Sequence, residues 1–71
     1  MTQCVVIYER AEDGSWGAYL PDLPGVVALD ASRDEVATGI REALAAYVEE
    51  MVALRQQLPA PTSVAETLQA A

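Results

Sequence analysis

Asp13, Asp22, Asp30 and Glu42 are the groups in this sequence whose types and spacing could do chemistry. A metal-dependent nuclease would need several of them to converge on divalent metal, holding an attacking water in line with a leaving oxygen. Each of the aspartates has a local reason to be where it is. Asp13 lies in a Glu-Asp-Gly-Ser turn, Asp22 sits in a proline loop, and Asp30 ends a strand just ahead of a helix cap. The chain has no His and no Lys to assist a carboxylate as acid or base. Cys4 is the only cysteine, so no disulfide framework or thiolate metal cluster forms within one chain. It falls in a predicted strand with no imidazole to lower its pKa, a poor setting for a nucleophile. The expectation is a protein without catalytic residues, cofactor or metal, one that acts by binding.

Residues suited to binding cluster elsewhere. In Pro21-Asp22-Leu23-Pro24-Gly25, two prolines and a glycine hold a turn at low entropy cost. The same rigidity would let the loop present Asp22 and Leu23 to a partner, as loops on fixed scaffolds do. Trp16 and Tyr19 fall on opposite faces of one strand, so one packs under a helix and the other is left for a second interface. Aromatic residues are frequent interface anchors. Trp16, Tyr19, Asp22, Leu23, Pro24 and Gly25 are therefore the candidate partner-binding or oligomer-interface residues. Glu42, Glu49 and Glu50 read instead as a solvated helix face.

These residues need a scaffold, and its elements are legible in turn. Gln3 to Glu9 contains the β-branched and aromatic run Val-Val-Ile-Tyr and reads as a first strand. A turn around Gly14 leads to a second strand over Trp16 to Leu20. After the proline loop, Val26 to Leu29 resumes as a third. Ser32-Arg33-Asp34-Glu35 is a capping box, with hydroxyl and carboxylate each placed to satisfy a helix-terminal N–H. From there a helical period puts Val36, Ile40, Ala43, Leu44, Tyr47, Met51 and Leu54 on one face. Gly39 inside it costs roughly 1 kcal/mol relative to Ala. It marks either a close backbone approach or simple tolerance.

Strands over 3–30, a helix over 32–56, a Pro-rich connector over 57–62 and a last element over 63–71 make one α+β domain. The fold is a three-stranded antiparallel sheet, with scope for a fourth strand, carrying one long helix: β-β-β-α. Ser63-Val64-Ala65-Glu66 is a second capping box and predicts a short C-terminal helix. Such a helix is marginal alone, and a frayed tail or an added edge strand competes with it. Neither face of the strands is polar. A single helix covers one face, so the other is exposed, covered by the tail, or buried against a second copy. A homo-oligomer, dimer or tetramer, is the expectation.

Length and composition agree. Seventy-one residues with 52% hydrophobic and 21% charged side chains make one soluble folded domain, too apolar for disorder and too charged for a membrane span. A chain this short buries only roughly 60% of its unfolded surface, which favours self-association. Four Arg against eleven Asp and Glu give a net charge of −7. Direct nucleic-acid binding is not expected of such a surface, because that affinity comes from basic residues neutralising phosphates. Solubility and recognition of a basic protein partner both account for it. With no charged start followed by a long apolar run, the cytoplasm is the expected location.

The run Trp-Gly-Ala-Tyr-Leu-Pro-Asp-Leu-Pro-Gly-Val-Val-Ala, Trp16 to Ala28, resembles the HicB family of antitoxins. The Glu12-Asp13-Gly14 turn, the Glu-Ala-Leu-bearing helix and the Leu58-Pro59-Ala60-Pro61 exit are similar to that family too, so the resemblance spans about residues 4 to 63. It implies a partial RNase H-like fold that does no chemistry itself. Its role would be to bind a small basic RNA-cleaving toxin, HicA-like, and occlude that toxin's active site. The net charge suits such a partner. With no basic residue after Arg55, DNA-contacting autorepression is not carried over from the family. The alternative is an orphan homo-oligomeric scaffold or regulatory module without a toxin.

Overall fold

The computed structural model describes residues 3–71. Three strands, β1 (Ile7–Arg10), β2 (Trp16–Tyr19) and β3 (Val27–Asp30), are followed by one helix, α1 (Arg33–Ala53). The sheet is antiparallel with order β1-β2-β3, so spatial order is chain order. The expected β-β-β-α arrangement is the one observed.

Two tight connections set the register. Between β1 and β2, Asp13 accepts from the Ser15 N–H at 3.0 Å and the Ser15 hydroxyl at 2.6 Å. Gly14 takes φ 89°, where a side chain would be strained. Between β2 and β3, the Leu23 N–H bonds the Leu20 carbonyl and the Val26 N–H bonds the Leu23 carbonyl, with Gly25 at φ 95°. That second connection also shortens the ladder. Pro21 has no N–H to offer the first strand, and the residues ahead of Ile7 meet no strand partner. The first strand therefore spans Ile7–Arg10 rather than Gln3 to Glu9. The third begins at Val27 because Val26 is spent on the loop.

Alternation sorts the sheet into two faces. Ala18, Leu20 and Val26 point under α1 and, with Leu23, Val36 and Ile40, form the buried core. Cys4, Val6, Tyr8, Trp16, Ala28, Ala43, Leu44 and Tyr47 pack around it half-buried, which matches most of the predicted helix stripe. Leu54 lies outside it and is exposed. Gly39 faces Ala28: a Cβ there would lie 3.5 Å from the Ala28 Cβ, ordinary contact, so space does not demand glycine.

Both helix ends are capped. The Ser32 hydroxyl accepts from the Glu35 N–H at 3.1 Å, as predicted. The Glu35 carboxylate, however, accepts from that same hydroxyl at 3.2 Å rather than from a backbone N–H. At the other end Gln56 N–H bonds Met51 O and Arg55 N–H bonds Val52 O, a Schellman motif with Arg55 at φ 56° in the position glycine prefers. It stops the helix at Ala53, three residues short of the predicted end.

The predicted C-terminal helix does not form. Residues 56–71 carry no regular secondary structure. Its intended cap, Ser63, is engaged elsewhere: both its N–H and its hydroxyl donate to Asp22. A six- or seven-residue helix has little intrinsic stability with which to compete.

Candidate functional site

The six residues singled out from the sequence separate into three settings. Trp16 is half-buried against the core and Tyr19 is 38% exposed on the opposite face, as the alternation requires. Leu23 is 1% exposed. Its side chain anchors the loop from inside, so a partner meets Pro24 and Gly25 there, which are exposed, and not Leu23.

Asp22 is half-buried and reaches across the chain. Its carboxylate accepts from the Thr62 hydroxyl at 3.0 Å, the Ser63 hydroxyl at 2.9 Å, and the Ser63 N–H at 3.1 and 3.3 Å to its two oxygens. Partial burial alone would raise its pKa. The donors from Ser63 and Thr62 outweigh that and hold it below its ordinary value of 3.8. This clasp ties the tail to the β2–β3 loop.

Asp13 and Asp30 lie away from that loop. Arg10 faces Trp16 and Trp16 faces Asp30, which puts the Asp13 turn and Asp30 at one end of the sheet and the Asp22 loop at the other. Among the described residues no three His, Cys, Asp or Glu groups come together to hold a metal ion. Asp30 accepts from the Ala31 N–H at 2.8 Å, and that bond, with one from Glu35, lowers its pKa. Glu35 is pushed up by the bond to Asp30 and then by its charge. These are helix-entry contacts with a structural purpose.

The face of the sheet turned away from α1 is mostly apolar, with Glu9 at its β1 edge, and exposed along β3. Ile7 faces Tyr19 and Tyr19 faces Val27, a row across all three strands, and Leu29 faces Gly17 in the next row. Val27 is 60% and Leu29 86% exposed. Leu29 also lies over Gly17, whose added Cβ would come within 3.2 Å of its Cδ2. The alternation of β3 placed Val27 and Leu29 together, and neither ranked among the six candidates because neither is aromatic nor in a loop.

Residues 4–71 match the family described as HicB-like antitoxin of bacterial toxin-antitoxin system. The chain belongs to that family. The HicB-like antitoxin also superposes on the crystal structure of the N-terminal domain of Burkholderia pseudomallei antitoxin HicB. The TM-score is 0.73 at 24% identity, covering 83% of this chain and 69% of that one, which establishes a shared fold. No curated protein matches the chain. Among its described residues no helix is long and apolar enough to cross a membrane.

Proposed function

We propose that this HicB-like antitoxin neutralises a small basic RNA-cleaving toxin, HicA-like, by protein-protein contact in the cytoplasm, without catalysis and without touching nucleic acid. The observation that carries this reading is the open outer face. Contiguous exposed apolar surface on a small domain marks an interaction site, and here exposed Tyr19, Val27 and Leu29 form one beside half-buried Ile7. Exposed Pro24 and Gly25 extend the surface beyond the strands. An apolar centre within a protein of net charge −7 suits a basic partner: the charges steer the encounter and the centre supplies affinity. Family membership supports a toxin as that partner.

The test is capture of the tagged full chain from its own cells at low salt, with mass spectrometry of the eluate. A small basic protein is expected, released as salt rises. Once separated it should cleave RNA, and adding back the antitoxin should stop the cleavage. Leu29→Asp should abolish that inhibition while leaving the circular dichroism unchanged. A captured protein without RNA-cleaving activity, or inhibition unaffected by Leu29→Asp, refutes the assignment of toxin or of surface respectively.

A further inference from the structure

We propose that the antitoxin dimerises by exchanging arms, the extended run Val64–Leu68 of one copy lying in the groove between β1 and α1 of the other. The inference does not depend on the toxin, and it uses the opposite side of the domain from the outer face.

The groove exists because α1 lies over β2 and β3 and leaves β1 beside it. The helix-facing side chains of the first strand segment, Cys4, Val6 and Tyr8, are only half-buried, and with Ile40 and Leu44 they line an apolar trough. It continues past Arg41 into a more polar stretch bounded by Tyr8, Ala37, Thr38, Asp34 and Arg33, whose guanidinium stands 4.9 Å from the centre of the Tyr8 ring. Arg41, farthest from Asp34 along the helix, is thus the cation left to meet an arm's carboxylate. The outer edge of β1 pairs with no other strand, so its main-chain groups are available to an added one. From Arg33 to Leu44 the helix side of the groove is about 16 Å long.

The arm has the complementary features. Beyond the clasp at Ser63 nothing covers it: Val64 is 93% and Leu68 79% exposed. As a strand, Val64, Glu66 and Leu68 fall on one side, and Val64 to Leu68 spans about 13 Å, within the groove's length. Glu66 is the one charged residue after Arg55. Arg33 and Arg41 are two of the four basic residues in the chain and both line the groove, where no salt bridge occupies them among the described residues. An arm seated with Glu66 at Arg41 would place Val64 and Leu68 on either side, against apolar wall and Tyr8. The clasp sets the exit point. Ser63 is held at Asp22, in the loop that follows Leu20, and Leu20 itself lines the trough, so the arm leaves from the groove's end. Two copies related by a two-fold axis can exchange arms reciprocally from there.

The decisive experiment is sedimentation equilibrium on the full chain and on Arg41→Glu, Glu66→Arg and Leu68→Asp, alone and in pairs. The wild type is expected to show a concentration-dependent dimer, and each variant to dimerise about tenfold more weakly or worse. Mixing Arg41→Glu with Glu66→Arg should restore dimerisation, because each groove then meets an arm of opposite charge from the other copy. An arm folded into its own groove would gain nothing from mixing, so a failure of the mixture overturns the exchange. A wild-type monomer at all concentrations, or a dimer unchanged in all three variants, overturns it as well.

Discussion

The two connections of the sheet each contain an aspartate before a glycine with positive φ, and they do different work. Asp13 holds Ser15, two residues away, and closes its own turn. Asp22 holds Thr62 and Ser63, some forty residues away, and closes the whole chain. The first connection is complete in itself. The second is a junction between core, sheet and tail, with Leu23 buried beneath it and Pro24 exposed above. Similar residue types thus give a turn in one place and a hub in the other, and the distinction lies in where their partners come from.

The strongest way to break this comparison is from below. Leu23→Ala should cost about 2–5 kcal/mol, as for other fully buried leucines, measured by urea denaturation. No residue of the Asp13 turn should approach that, since none is fully buried. Gly14→Ala and Gly25→Ala should each cost about 1–2 kcal/mol through left-handed backbone strain. Equal losses would show that the two connections share their backbone demands and differ in their side chains; a much larger loss at Gly25 would mean that strain there spreads into the core.

Asp22→Ala sharpens the contrast without a large effect on the core. Amide exchange and relaxation by NMR should show Thr62 and Ser63 released, with the sheet unchanged, whereas Asp13→Ala should alter only its own turn. Acid should act the same way. The folded-state pKa of Asp22 is depressed, so the clasp's contribution is present above the ordinary carboxylate value of 3.8 and is lost as pH falls through the lower, folded value. A tail whose signals stay fixed through that titration would show that something besides Asp22 holds it. The smallest effect is expected at the helix exit: Arg55→Gly should stabilise by up to about 1 kcal/mol, by relieving positive φ in the Schellman motif.

The regular elements were legible because their signals are local. Alternation gave the strands and placed Trp16 and Tyr19 on opposite faces, and Ser32 with the stripe from Val36 to Tyr47 gave the helix. What was misread depended on partners distant in sequence. The capping box at Ser63 is a sound local signal, but Asp22 takes its hydroxyl and N–H, and a separation of 41 residues leaves no periodic trace. Leu23 looked presentable in a proline loop because nothing nearby indicates that its side chain joins the buried core. That neither face of the strands is polar was legible from the alternation, and within the chain the helix covers one face while Tyr19, Val27 and Leu29 stay exposed on the other.

The sheet order has a consequence for the course of folding. With each strand beside its neighbour in sequence and the helix following, most contacts close short loops, the topology that folds quickly. The clasp is the exception in sequence but not in practice. Once α1 has docked, only the short run from Leu54 to Pro61 must close to bring Ser63 to Asp22, a small entropic cost. The clasp can therefore open and reclose on an already formed domain, a local opening at the low end of the stability range, while the meander beneath it stays closed.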